Sequence, residues 1–375
     1  MTRQKKAIIC MLKTKVHDHE LWKLQLDEIK KLAKSINYEI IDVMIQTKLH
    51  PHPAYVLGKG KIDELKEKVL EQDIETVIFW NNLTSKQSLN LIRTLSEDEE
   101  IDVKDRYDLT LEIFEKQATD KLSKIQIELA RTRKELPLYK LQANIKYKKE
   151  KGGYHGLGEH GYHSKIKSYD KKVASLRREI SKLKDNKIKT IENRKKRLYN
   201  SRYICIAGHY NAGKTTLFNK ITGLDKKISD KPFTTLSSKY GRYKRGKDLF
   251  FIDSIGFVLD LDPRLIKSFE LNLLDMLNAD KMLYLIDASE EKSLLYHKAC
   301  YGLDLLREIG INIIEKVIII FNKIDKLKDS EEFIKKLVEK YPDPFKILPY
   351  LNLSAEKGIN IDDLIYYLLN TVIDN

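Results

Sequence analysis

Cysteine is nearly missing: the 375 residues carry three, Cys10, Cys205 and Cys300. Their odd number and wide separation exclude a disulfide framework and give no zinc-type spacing. Each sits in an apolar strand-like or helical stretch, so all three are expected to be buried and inert. Long apolar runs are missing too. No stretch of about 18 uncharged apolar residues occurs, which argues against a membrane-spanning helix. The start, MTRQKKAIICMLKTK, returns to charge too soon for a secretory signal. A soluble, cytoplasmic protein without a membrane partner is expected. No internal repeat is visible. At this length one typical core is not enough, and two or three domains are expected.

What is abundant is positive charge, and it is local. The chain carries a net +14, yet residues 121–200 alone hold 24 Lys/Arg and 8 Asp/Glu, a net of +16. The rest is close to neutral. A protein that concentrates its positive charge in one segment is set up to meet a polyanion. The bland alternative is a solvated coiled-coil surface, but the excess goes beyond what solubility needs.

Apolar periodicity divides the chain into three regions, 1–106, 107–200 and 201–375. In the first, strand-like runs at 7–12, 38–45 and 75–80 alternate with amphipathic stretches near 18–35, 61–70 and 84–95. That alternation predicts a small parallel α/β domain. From Asp108 the spacing turns helical. Leu111, Phe114, Ala118, Leu122, Ile125 and Leu129 recur every three or four residues until Pro137, where the helix is expected to kink or end. After a glycine-rich loop, 152–161, a second seam runs through Ile166, Tyr169, Val173, Leu176, Ile180 and Leu183 toward residue 198. The middle region therefore reads as a long, basic, antiparallel helical hairpin (a coiled coil). From Ser201, buried-strand candidates at 202–208, 249–254, 281–288 and 316–323 are separated by helices. This predicts a Ras-like α/β domain with a mostly parallel sheet.

Chemistry concentrates in that last region. Gly208-His209-Tyr210-Asn211-Ala212-Gly213-Lys214-Thr215 matches the P-loop pattern G-x-x-x-x-G-K-[ST], directly after an apolar strand and before a helical stretch. Its glycines let backbone N–H groups curl around phosphates at a helix N-terminus. Lys214 brings a point charge to the β and γ oxygens, and Thr215, followed by Thr216, offers a hydroxyl to Mg²⁺. Asp253-Ser254-Ile255-Gly256 ends a strand. Asp253 is expected to reach Mg²⁺ through water, and the Gly256 N–H to sense the γ-phosphate. Asn322-Lys323-Ile324-Asp325 ends another strand. The Asp325 carboxylate can accept from guanine N1 and N2, where adenine has no donors, so it selects GTP over ATP. Lys323 is expected to cover the base face, Asn322 to tie the loops together, and Ser354-Ala355 to offer a backbone N–H to guanine O6. Thr235, within PFTTLSS, is expected to close on Mg²⁺ when the γ-phosphate is present, with Thr234 or a plain surface loop as the alternatives. Lys214, Thr235 and Gly256 then form the catalytic set for GTP hydrolysis to GDP.

Hydrolysis needs an ordered water, which Ras-like proteins hold with a glutamine just after the Asp-x-x-Gly element. Here Phe257 stands at that position and cannot orient water, so slow intrinsic turnover is expected until a partner or ion completes the site. Asn211 stands where monovalent-cation-dependent GTPases ligate K⁺; the alternative is an asparagine that braces the loop.

Together these residues resemble the HflX family of ribosome-associated GTPases, grouped with the Obg-like proteins, over nearly the whole chain. GHYNAGKTTLFNKITG, PFTTLSS and DSIGFVLDLDPRLIKSFELNLLD are similar to the family's P-loop, switch I and switch II. YVLGKGKIDEL and VIFWNNLTSKQSLNL are similar to its N-terminal domain, and VKDRYDLTLEIFEKQATDKLSKIQIELARTRKELPLYK to its helical segment. The hairpin loop departs from the family pattern: His155 replaces an arginine and Leu157 a proline, and an acidic-basic stretch survives only as Asp170-Lys171-Lys172. The extra C-terminal domain of many bacterial members is not expected. The resemblance implies a monomeric factor that binds the large ribosomal subunit and its rRNA in the GTP form, with no DNA partner, and that splits stalled ribosomes or assists assembly. From the residues alone two alternatives stay open. One is an RNA-binding assembly module that uses GTP only as a conformational ligand; the other is a protein-binding switch. Gly58-Lys59-Gly60-Lys61 lacks P-loop spacing and reads as a tight turn at a helix start. His155, His160 and His163 read as RNA contacts or disorder rather than a metal site.

Overall fold

A computed structural model describes residues 3–14, 21–96, 100–150, 157–197, 201–225, 238–246, 248–260 and 262–373. The chain divides into two compact units, Met1–Lys182 and Leu183–Asn375.

The first unit opens with β1 (Lys5–Lys13), α1 (Leu21–Ser35), β2 (Tyr38–Thr47), α2 (Lys59–Glu71), β3 (Thr76–Phe79), α3 (Ser85–Leu95), β4 (Asp102–Asp105) and α4 (Arg106–Gln117). Its sheet has the order β2-β1-β3-β4, and every pairing is parallel. β1 is interior to the sheet, and Ala7 to Leu12 are at most 3% exposed. Burial on both faces is why this strand reads as an unbroken apolar run rather than an alternation. Gly58 caps α2, so the Gly58-Lys61 stretch is indeed a turn at a helix start.

α5 (Lys121–Glu150) and α6 (Leu157–Arg197) follow. Within the first unit they run antiparallel: Lys121 pairs with Glu179 at 2.7 Å, Lys172 with Glu128 at 2.8 Å, and Tyr139 stacks on Tyr169 at 5.5 Å. Three expectations are corrected here. The helical spacing from Asp108 is not one helix, because the chain leaves helical geometry at Ala118 and restarts where Asp120 Oδ1 accepts from the Ser123 N–H at 2.9 Å. Pro137 does not end α5. Its ring removes one backbone donor, but flanking turns bury Ile125, Ile127, Leu129 and Ala130 on one side of it and Ala143 on the other. The glycine-rich break also closes sooner than expected, since α6 begins at Leu157 and takes in Gly158 and Gly161. His155 lies outside the described residues.

The second unit begins with the last turns of α6, residues 183–197. It continues as β5 (Arg202–Gly208), α7 (Lys214–Thr222), β6 (Lys239–Arg242), β7 (Leu249–Asp253), α8 (Pro263–Ser268), α9 (Glu270–Leu277), β8 (Lys281–Asp287), α10 (Lys292–Ile309) and α11 (Ile313–Lys316). It closes with β9 (Val317–Asn322), α12 (Ser330–Lys340), α13 (Pro342–Phe345), β10 (Tyr350–Asn352) and α14 (Ile361–Ile373). The sheet order is β10-β9-β8-β5-β7-β6, parallel except for β6. One apolar cluster covers each face, the larger around Tyr284, Phe257 and Phe321, the other around Phe218, Phe251 and Leu364. The turn between β6 and β7 carries Gly246 at φ +78°.

The foot of α6 is bonded to two elements of this unit. Lys187 Nζ donates to Asp275 Oδ2 at 2.8 Å and to the Leu271 carbonyl at 2.7 Å, both on α9. The Arg194 guanidinium lies 3.8 Å from the ring centroid of Tyr240 on β6. The Tyr240 hydroxyl in turn donates to Asp275 Oδ1 at 2.5 Å. Asp275 is 2% exposed. A carboxylate so buried needs such donors on both oxygens. Of the cysteines, Cys10 and Cys205 are fully buried and burial pushes their thiols far up, whereas Cys300 is half-buried.

Candidate functional site

In an open parallel sheet, strand C-termini deliver loops to one edge, where ligands bind. The residues singled out above converge on that edge. β5 ends at Gly208 (φ +137°), where a Cβ would lie 2.3 Å from the Leu285 carbonyl oxygen. Only glycine lets the chain leave β5 so close to β8. The following loop crosses to Gly213 (φ +91°), where a Cβ would lie 2.2 Å from Asn322 Nδ2. α7 then starts with Lys214, so its first N–H groups face the loop.

Lys214 is 8% exposed, and its Nζ donates to the His209 carbonyl at 2.7 Å. Burial pushes its ammonium down to about 8, with Asp253 working in the opposite direction. A buried cation folded back on its own loop is a group that an incoming anion would stabilise. Thr215 Oγ1 donates to Asp253 Oδ2 at 3.1 Å, and Asp253 is fully buried. A hydroxyl and a carboxylate this close are hard oxygen donors that fit Mg²⁺. Thr216 follows, half-buried, in the first turn of α7. Asn211 stands exposed in the loop at φ +59°. Gly256 is buried against the lysine: a Cβ there would meet Lys214 Nζ at 2.9 Å. Thr234 and Thr235 lie outside the described residues.

The segment after Asp253 is zipped to the P-loop. The Phe257 N–H donates to the Gly208 carbonyl at 3.0 Å, and the Tyr210 N–H to the Phe257 carbonyl at 2.9 Å. The Phe257 ring, 2% exposed, turns into the core, 6.4 Å from Tyr284 and edge-on to His209 at 6.4 Å. His209 is itself buried. Its Nε2–H donates to the Lys298 carbonyl at 2.9 Å, and burial pushes its imidazole down to about 3, with the nearby Lys298 and Lys214 charges adding to the effect.

On the base side, Asn322 Nδ2 donates to the Ala212 carbonyl at 2.8 Å, and its Oδ1 accepts the Ala355 N–H at 2.9 Å. One amide thus joins the P-loop to the 354–355 loop. The Ala355 N–H expected to face guanine O6 is held here by Asn322. Ser354 is fully buried, and its Oγ accepts the Lys357 N–H at 3.1 Å. Asp325 lies exposed in a short 3₁₀ turn, Ile324–Lys326. Lys323 has φ +65°, and its Nζ is 2.6 Å from Asp287 Oδ2 at the end of β8.

Three features escaped the sequence reading: His209 as a core residue, Asp287 beside Lys323, and the Lys187–Asp275–Tyr240 cluster. A signal existed for Asp287, since a polar Asp-x-Ser ending a buried strand is a turn-forming pattern. The other two depend on contacts far apart in sequence.

Comparison with known proteins follows the same division. The family model described as "GTP-binding GTPase N-terminal" matches residues 23–115, and that described as "50S ribosome-binding GTPase" matches residues 203–323. A protein called GTPase HflX from Thermococcus kodakarensis is 32% identical over 349 residues, covering 92% of this chain and 74% of its own length. Another of that name from Saccharolobus solfataricus is 32% identical over 315 residues, covering 82% and 86%. Among solved structures, the crystal structure of SsGBP in complex with GDP aligns with a TM-score of 0.51 at 26% identity, covering 98% of this chain and 99% of that one.

Proposed function

From the premise that the chain belongs to the HflX family of GTPases, we propose that it is a slow GTP-hydrolysing switch that binds the large ribosomal subunit through its basic hairpin in the GTP form. The hairpin, 107–200, is on this reading the arm between an N-terminal α/β domain, 1–106, and a nucleotide domain, 201–375. Ribosome splitting, rescue or assembly would be its setting.

The residues divide the work as follows. Gly208 to Thr216 hold the phosphates, Lys214 among them meeting the β and γ oxygens. Thr215 and Asp253 would hold Mg²⁺, which would neutralise phosphate charge when bound. Gly256 and Thr235 report the γ-phosphate. Asn322 braces the loops, Lys323 and Asp325 take the base, and Ser354-Ala355 flank it. Asn211 is the candidate K⁺ ligand. Phe257 contributes no water-orienting group, and its burial supports a low intrinsic rate that a partner raises.

The observation that carries the coupling is the foot of α6. The same helix that supplies much of the positive charge is bonded through Lys187 to α9, which follows Gly256, and through Arg194 to β6, which follows the Thr235 segment. The elements that follow both segments assigned to the γ-phosphate, α9 and β6, are therefore bonded to the foot of α6. Co-sedimentation with large subunits tests the reading. Binding is expected with a non-hydrolysable GTP analogue, weaker binding with GDP, and a steep decline with salt as phosphate contacts are lost. Equal binding with either nucleotide would sink it. An RNA module that uses GTP only as a ligand would instead bind without its hydrolysis rising on addition of subunits.

A further inference from the structure

Lys323 combines two uncommon properties. Its backbone is left-handed (φ +65°), a conformation that costs a non-glycine residue of order 1 kcal/mol and tends to be kept where function needs it. Its ammonium is drawn into an ion pair with Asp287 at 2.6 Å, with both side chains mostly shielded, 17% and 11% exposed. Asp287 is the last residue of β8 and lies opposite Asn322 in the register with β9. The Ala288 N–H donates to the Asn322 carbonyl at 2.9 Å, so the two strands stay paired up to the point where Lys323 departs. The carboxylate is fixed from its other side as well: Oδ1 accepts the Ser289 N–H at 3.0 Å and the Ser289 hydroxyl at 2.6 Å. Two donors, both from Ser289, therefore set the orientation of Asp287 whatever Lys323 does. Asp287 is the anchor, and Lys323 is the group tied to it.

An untethered lysine samples many rotamers, and ordering one on binding costs about 0.5–1.5 kcal/mol. Tethering its ammonium leaves the four methylenes as a preset rail beside the loop that carries Asp325. We infer that Asp287 is a positioning residue for base recognition, holding the Lys323 stem in the place where a purine face packs on it. This rests on the reading that the site binds a guanine nucleotide. Asp287 touches no nucleotide itself and acts through Lys323, so its loss should weaken GDP and GTP alike and fall on KM rather than kcat.

The test uses the full chain and a fluorescent GDP in stopped-flow dissociation. Asp287→Ala is expected to speed release roughly three- to tenfold and to raise KM for GTP by a similar factor. Lys323→Ala should do at least as much, and the double variant no more than Lys323→Ala alone, because both remove one interaction. Asp287→Asn keeps the side-chain shape, should fall between wild type and Asp287→Ala, and carries the test if the alanine variant does not fold. Wild-type release from both Asp287 variants, or multiplied effects in the double variant, would overturn the inference. Failure of the underlying reading is visible separately: the wild-type chain would then fail to prefer GDP over ADP, and Asp325→Asn would not change that preference.

Discussion

His209 illustrates what a P-loop position can do besides holding phosphate. Between Gly208 and Tyr210 it turns inward, donates to the Lys298 carbonyl, and packs against Phe257 and Tyr301. Its folded pKa near 3 lies below the ordinary 6.5, so the unfolded chain binds the extra proton first as pH falls. Stability from a neutral His209 is thus fully present above pH 6.5 and is lost on acidification toward 3, at about 1.4 kcal/mol per pH unit. Urea unfolding across pH 4–7 should show that slope reduced by about this amount in His209→Gln, which keeps a donor for Lys298; an unchanged slope would refute the assignment. At this scale much of the site was legible. The P-loop, Asp253-x-x-Gly256 and Asn322-Lys323-x-Asp325 announce themselves because backbone geometry around phosphate and base tolerates few residue types. His209 did not, because a histidine between a glycine and a tyrosine carries no local sign of which face it takes.

The elements followed from periodicity where burial is two-sided, as in β1, β5, β8 and β9. The short strands β4, β6 and β10 did not, because three or four residues are too few to leave a periodic signature. The break at Ala118–Asp120 was hidden for a different reason: the apolar spacing keeps its phase across it, and only the capping aspartate marks the restart. α6 carries the sharper consequence. Lys187→Ala removes the charged donor to Asp275 Oδ2 and leaves a 2% exposed carboxylate held by Tyr240. Loss of one partner of a fully buried pair costs about 3–5 kcal/mol; Lys187 keeps some solvent, so about 2 kcal/mol is expected. Chemical denaturation followed by circular dichroism would measure it. Asp275→Asn, which keeps an acceptor for Tyr240 and removes the stranded charge, should cost less, and the reverse ranking would contradict the account.

For the molecule as a whole, the two compact units predict two unfolding transitions, since each has its own apolar core. On the proposed reading, GDP binds the second of them. In scanning calorimetry it should raise the transition of the Leu183–Asn375 unit alone, by about 2.7 kcal/mol of stability at a hundredfold excess over Kd. A parallel rise of both transitions would mean that the units unfold as one. The division of labour within the second unit has a practical corollary. Every described group assigned to phosphate, metal or base leaves the sheet from strand C-termini, while the β6–β7 turn lies at the opposite end of its strands. At Gly246 space is open but the φ of +78° strains any side chain, so the place for a handle is its exposed neighbour in the turn, Lys244. A fluorophore or affinity handle attached there leaves the nucleotide chemistry untouched, so the protein can be tethered, pulled or tracked by that turn while it cycles.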